Sequence, residues 1–272
     1  IVAFYNSKTF LSRIVEILEE EHEVNGNIKH DLNGSISLKN VSFSYTKDSK
    51  RVLSNINIEI HKGEKIAIVG TSGSGKSTLS KLLIGLFPAT TGKIFFDNFE
   101  YYSLDKQYLR QQIGIVPQDM TLFNKTIFEN IAGSSSVSQE KMEEVCKLVN
   151  IHDDIMEMPM GYNTLVSEMG MNLSGGQRQR IILARALIKK PKIILLDEAT
   201  SYLDNVNEKE IMQKFKEQNI TIVVIAHRLS TIIDSDKIFV MEKGKIIEQG
   251  NHQELLQGER GLYRKLYQID NL

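Results

Sequence analysis

The chain has 272 residues, of which 41% are hydrophobic and 25% are charged, so it is long enough for one large core or two smaller lobes. A formal net charge of -1 gives no overall field to recruit nucleic acid or an acidic membrane surface, and no apolar run approaches the ~18 residues that cross a bilayer. The single cysteine, Cys146, excludes an internal disulfide and fits a reducing cytosolic compartment, where a buried hydrophobic role is favoured over a nucleophilic one.

The first 24 residues predict a helix, because Phe10, Leu11 and Ile14 lie at helical spacing ahead of an acidic run. Such a helix either packs on its own domain or ends an upstream segment that is missing here. The start at Ile1 instead of methionine favours a fragment of a longer polypeptide, with processing as the other explanation. Residues 25–34 are polar and are interpreted as a linker.

Residues 35–69 alternate between apolar and polar side chains and predict strands, with "HKGE" at 61–64 as a hairpin turn. A loop and a helix follow, then short strands and a helix up to about Ile113. Residues 126–170 are helix-like and rich in Met and Glu, which predicts a helical subdomain inserted into an α/β core. The α/β rhythm resumes from Gly175 with a helix, a strand, a helix, a strand, a hairpin at 237–250 and a last helix opened by a capping box of Asn251 and Glu254.

A phosphate-binding loop is indicated by "GTSGSGKST", which matches the pattern G-x-x-x-x-G-K-[ST] between a predicted strand and a predicted helix. Glycines let backbone N–H groups approach phosphate oxygens without a Cβ in the way. Lys76 would supply a point charge to the β and γ phosphates, and the Ser77 hydroxyl would ligate Mg²⁺. The candidate residues of this loop are Gly70, Thr71, Ser72, Gly73, Ser74, Gly75, Lys76, Ser77 and Thr78.

Polar residues at three further strand ends complete a candidate site. Asp197 ends the strand "KIILLD", where its carboxylate could hold Mg²⁺, and Glu198 could act as general base toward an attacking water. His227 could sense the γ phosphate, and Gln118 could bridge metal or water to a mobile loop. Each has a plainer alternative: a solvated acidic pair, a structural histidine and a turn residue.

A second potential anion site is "NLSGGQRQR" at 172–180, where a serine and two glycines precede a basic, helix-forming run. With "LSGGQ" the chain resembles the nucleotide-binding domain of an ATP-binding cassette (ABC) transporter of the exporter type. The resemblance covers about 35–272 and rests on six motifs in order: the phosphate loop, Gln118, "LSGGQ", Asp197–Glu198, "SYLD" and His227.

The resemblance implies an α/β fold, a P-loop NTPase (RecA-like) core with an antiparallel β lobe and a helical subdomain at about 126–175. It implies that Tyr45 of "FSY" stacks on adenine, although a core aromatic on a strand face is the alternative. It also implies that Gly70 to Thr78 bind the phosphates of ATP. By the same resemblance Ser77, Gln118 and Asp197 hold Mg²⁺, and Glu198 and His227 are catalytic.

The resemblance further implies a head-to-tail dimer that hydrolyses ATP. Each ATP would contact the signature of the other copy, and Asp204 would couple the two sites. Tyr202 departs from the alanine common in exporters, so the contact across the interface there can differ. The signature residues are Leu173, Ser174, Gly175, Gly176 and Gln177.

The expected partners are a second copy of the chain and a membrane domain in the same full-length polypeptide, with no nucleic acid. "SEMG" at 167–170 and "TLFNKTIFENI" at 121–131 resemble exporter segments that touch the membrane domain. The expected place is the cytoplasmic face of a bacterial cell membrane. The texture is similar to that of peptide and bacteriocin exporters, including those with a cysteine peptidase, but drug and lipid exporters share the same motifs.

Two other classes are weighed against this one. A non-transport cassette protein acting on DNA or ribosomes would show a long coiled-coil insertion, tandem cassettes or a basic surface, none of which the sequence contains. A small GTPase or nucleotide kinase shares only the phosphate loop, and "NKTI" at Asn124 lacks the acid of a guanine-reading NKxD motif.

Overall fold

The computed structural model describes residues 10–15, 23–46, 48–119, 121–197, 205–226, 231–258 and 260–270. Glu198, Tyr202, Asp204 and His227 lie outside the described residues. Residues 10–15 are helical, and among the described residues no helix is long and apolar enough to cross a membrane. The strands are β1 Ile36–Phe43, β2 Leu53–Ile60, β3 Lys65–Gly70, β4 Thr91–Phe96, β5 Phe99–Glu100, β6 Ile113–Val116, β7 Ile193–Asp197, β8 Thr221–Ile225, β9 Lys237–Glu242 and β10 Lys245–Gly250. The helices are α1 Lys76–Leu83, α2 Lys106–Gln111, α3 Ile127–Ala132, α4 Gln139–Leu148, α5 His152–Met156, α6 Gly175–Leu187, α7 Asn205–Glu217, α8 His252–Gln257 and α9 Leu262–Asp270.

Two sheets organise the chain. The larger has the order β10-β9-β3-β8-β7-β6, in which all pairs are parallel except β10 on β9. The smaller is antiparallel, in the order β2-β1-β4-β5. These sheets are the RecA-like core and the antiparallel lobe that the resemblance implies, so the predicted fold class is confirmed.

The turn at 61–64 is the clearest wrong prediction. It joins β2 to β3, which belong to different sheets, so it is a crossing between the lobe and the core and no hairpin. The error has a physical source: alternation marks a strand with two unlike faces but does not name the strand's partner. The predicted last helix is likewise two helices, α8 and α9, and only the first begins at the capping box of Asn251 and Glu254.

The two faces of the larger sheet carry different layers. Successive strand residues point to opposite faces, so Ile66 and Ile68 share one face, while Ala67 and Val69 share the other. The face of Ile66 packs with buried residues of α1 and of the antiparallel lobe. The face of Ala67 packs with α3, α4, α6, α7, α8 and α9. Helices α1 and α6 therefore lie on opposite sides of the sheet.

The predicted helical subdomain corresponds to the stretch from α3 to the 3-10 turn Glu168–Gly170. It holds α4, α5 and a second 3-10 turn, Gly161–Asn163, and an isolated bridge joins Thr126 to Leu165. Helix α3 begins with a capping box formed by Thr126 and Glu129. Cys146 lies at 0% exposure in the core of this subdomain, as a small hydrophobe would.

The segment predicted as a linker has an irregular backbone that is fastened to the lobe. Ile28 bridges Leu104, and the Asp97 carboxylate accepts hydrogen bonds from the backbone N–H groups of Asn33 and Ser35. The helical residues at 10–15 are more exposed: 66% of the surface of Phe10 and 60% of that of Leu11 are exposed.

Candidate nucleotide site

The phosphate loop joins the end of β3 to the start of α1, as predicted. Gly75 is the N-cap of α1 with φ 102°, and no side chain caps the helix, so its first N–H groups point toward the loop. Gly70 allows two segments of the same chain to approach closely, because a Cβ there would lie 2.2 Å from the carbonyl oxygen of Met241. An open helix N-terminus beside a tight glycine turn is suited to phosphate binding.

Side chains of the loop are folded into it. The Lys76 ammonium donates to the carbonyl oxygens of Gly70, at 2.8 Å, and of Thr71, at 3.1 Å, and this side chain is buried. The Ser74 hydroxyl is also buried and has no hydrogen-bond partner among the described residues. A buried hydroxyl left unpaired costs about 1–3 kcal/mol. Phosphate oxygens would give this group the acceptor that the described residues do not.

Tyr45 lies against α1, beside the loop. Its hydroxyl is 3.0 Å from the Thr78 hydroxyl, and its ring packs edge-on against Phe43 and Phe87. Tyr45 remains 48% exposed, so its side chain is only partly covered. The position of Tyr45 is compatible with stacking on adenine, and that role stays a prediction.

The strand ends place acidic and amide side chains at the edge of the sheet that carries the loop. Asp197 pairs in register with Ile225 of β8, which pairs with Ile68 of β3. Because adjacent strands are about 4.8 Å apart, Asp197 ends about 10 Å from the strand of the loop. Gln118 is exposed two residues beyond the end of β6 and thus at the same edge. Residues 198 and 227 follow these strand ends but lie outside the described residues.

The signature forms the start of α6. Ser174 is the N-cap: its hydroxyl oxygen accepts the Gln177 backbone N–H at 3.1 Å, and the Gln177 side-chain oxygen accepts the Ser174 N–H at 3.0 Å. Leu173 is buried, whereas Ser174 is exposed and Gly175 and Gly176 are half-buried. The structure therefore brings the five signature residues together, but at a helix on the other side of the sheet from α1.

One contact of the signature was missed by sequence reasoning. The Gln177 side-chain amide donates to Asp154 at 3.1 Å, and Arg180 forms a salt bridge with the same carboxylate at 2.9 Å. Asp154 lies 23 residues earlier on a different helix, so no spacing along the chain marks the contact.

A cavity of about 480 Å³ lies away from the loop. It is lined by Lys65 and Gly63 at the start of β3, by Ile222 near the start of β8 and by residues of α7. Burial lowers the pKa of Lys65, whose ammonium donates to the Thr231 carbonyl. Nucleotides in open α/β sheets bind at the carboxyl ends of the strands, so this cavity at the amino ends is not the ATP site.

Comparisons with known proteins agree with this geometry. The model of the family described as ABC transporter matches residues 53–201. The chain belongs to the ABC transporter family. It is an ATP-binding ATPase domain of the exporter type, as the resemblance implied.

The curated relatives are much longer than the chain. The leukotoxin translocation ATP-binding protein LktB of Mannheimia glucosida is 50% identical over 242 residues, which are 88% of this chain and 34% of the relative. The proteins of the same name from Mannheimia haemolytica and Bibersteinia trehalosi match at the same identity and coverage. The chain thus spans about a third of the length of these relatives.

A solved structure matches nearly the whole chain. It is described as a bacterial Atm1-family ABC exporter with ATP bound, and it superposes with a TM-score of 0.87 at 37% identity. The match covers 96% of this chain and 47% of that chain. Sheets, lobe and helical subdomain are therefore arranged as in an exporter.

Proposed function

We propose that two copies of this chain bind head to tail and hydrolyse ATP at two shared sites, and that this cycle powers export through a membrane domain. Each ATP lies between the phosphate loop of one copy and Ser174, Gly176 and Gln177 of the other. ATP binding closes the pair and hydrolysis releases it, so the dimer alternates between two states that bias the membrane domain.

The opposite placement of α1 and α6 is the observation that carries this proposal. Each helix is about 10 Å across and packs on its own face of one sheet, so their axes are separated by roughly 15–20 Å within one chain. Ser174 is exposed at its helix start, and no phosphate on the loop of its own chain can reach it across the sheet. A second copy supplies the missing half of each site.

Residues at the strand ends carry out the chemistry of hydrolysis in this proposal. Glu198 accepts a proton from the attacking water, and His227 contacts the γ phosphate and orients that water. Lys76 and the N–H groups at the start of α1 bind the phosphates and stabilise the charge that develops on them. Asp204 couples the two sites of the dimer.

The donor set fits Mg²⁺. Ser77, Gln118 and Asp197 offer a hydroxyl, an amide and a carboxylate oxygen, which are the hard ligands that this ion prefers, and all three lie at the edge of the sheet that carries the loop. When bound, the ion would neutralise charge on the phosphates.

A membrane domain is the proposed mechanical partner. Phe123, Leu165 and Met171 have 60%, 61% and 75% of their surface exposed, and the bridge between Thr126 and Leu165 brings the segments of the first two together. Exposed apolar side chains on neighbouring segments mark a docking surface. Phe123 lies within the segment 121–131, and Leu165 and Met171 flank the segment 167–170; both segments resemble the membrane-facing loops of exporters.

The cargo is proposed to be a polypeptide, because relatives at 50% identity are named for leukotoxin translocation. We infer a bacterial exporter, with this domain at the cytoplasmic face of the membrane and the membrane domain in the same polypeptide. Drug or lipid export is the alternative. Stimulation of the ATPase of the full-length exporter by lipid or drug and not by peptide would favour that alternative.

The ATPase rate per molecule tests the dimer. It should rise with protein concentration, because only paired chains hold complete sites. A rate per molecule that does not change with dilution would contradict the proposal.

Glu198→Gln tests the general base. The variant should bind ATP, lose turnover and accumulate as an ATP-bound dimer in size-exclusion chromatography. Wild-type turnover in this variant would show that another group accepts the proton.

Ser174→Arg tests the signature. It should leave ATP binding to the monomer intact and block hydrolysis, because the bulk and charge fall in the partner's site. Strong loss of binding to the monomer would count against this role.

A further inference from the structure

Asp154 holds the signature in position from a neighbouring helix. It lies in α5, and its carboxylate accepts the Gln177 side-chain amide at 3.1 Å and the Arg180 guanidinium at 2.9 Å. Arg180 also donates to the Asn150 carbonyl on the α5 side and to the Gly176 carbonyl inside the signature at 3.3 Å. One carboxylate therefore ties α5 to the first turns of α6.

The chemistry of this contact fixes the orientation of the Gln177 amide. An ionised carboxylate only accepts hydrogen bonds, so the amide nitrogen of Gln177 must face Asp154. The amide oxygen then faces the Ser174 backbone N–H, which only donates. Without the carboxylate the amide loses one of the two partners that select this orientation, and the reversed orientation would set donor against donor at Ser174.

The orientation matters because it shapes the group offered to the partner's ATP. In the capping box the Ser174 oxygen is the acceptor for the Gln177 backbone N–H. A hydroxyl that accepts in this way still has its own hydrogen to donate. Ser174 is exposed, so that hydrogen and the N–H groups of the following glycines can face a phosphate from outside the chain.

We propose that Asp154 is a positioning residue for hydrolysis, which acts through Gln177 to fix Ser174 for the phosphate of a second copy. This inference rests on the proposed dimer. In the proposed dimer Asp154 acts through Gln177 and does not itself contact ATP. Its side chain is 32% exposed and that of Arg180 is 14% exposed, so the pair is shielded enough to have a defined geometry.

The test compares Asp154→Ala with Asp153→Ala, a matched control that removes the neighbouring, exposed carboxylate from the same helix. Asp154→Ala should lower kcat by at least about tenfold, the loss expected for one hydrogen bond to a charged group. The affinity of a fluorescent ATP analogue at low protein concentration, where the chain is a monomer, should not change. Asp154→Asn should recover only part of the rate, because its amide oxygen can still accept from Gln177 while its amide nitrogen meets the Arg180 guanidinium as a second donor. The control should match the wild type.

A double-mutant cycle separates positioning from a structural role. If Asp154 acts through Gln177, Asp154→Ala should cost nothing further in a Gln177→Ala background. Asp154→Leu is close to aspartate in bulk and has a higher helix propensity, so it replaces the alanine variant if that variant fails to fold. Wild-type kcat in Asp154→Ala, an equal loss in the control, or an undiminished loss in the Gln177→Ala background would each overturn the inference. If the wild type shows no concentration-dependent ATPase activity, the proposed dimer itself fails.

Discussion

Asp97 is predicted to hold the entry segment on the β lobe. It follows β4, and its two carboxylate oxygens accept five hydrogen bonds from the segment 30–35. Three are backbone N–H groups, those of Asn33 at 2.8 Å, Gly34 at 3.2 Å and Ser35 at 3.0 Å. The other two come from the Ser35 hydroxyl at 3.1 Å and the His30 ring at 2.9 Å. The side chain is only 7% exposed, so water replaces little of this network.

Asp97→Asn should destabilise the domain. The amide nitrogen replaces one carboxylate oxygen, so at least one N–H donor of the segment meets another donor. Each hydrogen bond to a charged group is worth about 1.5–3 kcal/mol. We expect the free energy of unfolding to fall by about 2 kcal/mol, because the exposed backbone N–H of Asn33 can bond to water instead. For a chain of this size the melting temperature should fall by about 3–4 °C.

The loss should depend on pH. Burial raises the pKa of Asp97, but the hydrogen bonds from Asn33, Ser35 and His30 outweigh it and hold the pKa below its ordinary value of 3.8. A carboxylate with a depressed pKa stabilises the fold fully above its unfolded value and loses this effect as the pH falls through the folded value. The difference in free energy of unfolding between the wild type and Asp97→Asn (the stability gap) is therefore fully present at neutral pH and disappears as the pH falls below 3.8.

Urea denaturation of both proteins, at neutral pH and in steps into acid, measures this gap. Asp48→Asn is the matched control, because it makes the same chemical change at an exposed aspartate. The reasoning would be refuted if Asp97→Asn lost no more stability than Asp48→Asn, or if its stability gap stayed constant as the pH is lowered.

Three further predictions concern the site and the core. Tyr45→Ala should weaken ATP binding roughly tenfold in calorimetry, since stacking on a base is worth about 1–3 kcal/mol, whereas Tyr45→Phe should keep most of the affinity; equal affinities would place adenine elsewhere. Gly70→Ala should abolish ATP binding in a protein with a native circular dichroism spectrum, because its Cβ would lie 2.2 Å from a backbone oxygen; wild-type affinity would contradict this. Cys146 should resist thiol reagents at neutral pH until the protein unfolds, because burial raises its pKa to about 11; rapid labelling of the native protein would contradict this.

The strands, the phosphate loop and the helix caps could be predicted because they depend on local patterns, whereas the fold class came from the family resemblance and the roles of the site residues stay predictions. Alternating residues marked the strands, and the phosphate loop fixed one strand and one helix around Gly70 and Lys76. Asp197 ends one strand and Gln118 follows another, and the carboxyl ends of parallel strands meet at one edge of the sheet, so both residues could be placed at that edge. The capping box at Asn251 is local in the same way, and it is confirmed.

Contacts between distant segments could not be predicted. The alternating pattern around the turn at 61–64 does not show which strands pair, so it does not reveal that the turn joins two different sheets. Asp97 and the segment 30–35, and likewise Asp154 and Gln177, meet only after the chain has folded. The separation of α1 from α6 also depends on which face of the sheet each helix covers. The motifs in the sequence do not specify that face.

Mixing two inactive variants tests the shared site most directly. Lys76→Ala removes the phosphate loop's cation and Ser174→Arg blocks the signature, so neither variant should hydrolyse ATP alone. A mixed pair contains one site built from the intact loop of one variant and the intact signature of the other. With random pairing, an equal mixture should recover about a quarter of the wild-type rate. If the mixture stays as inactive as its components, the two halves of the site do not come from different copies of the chain.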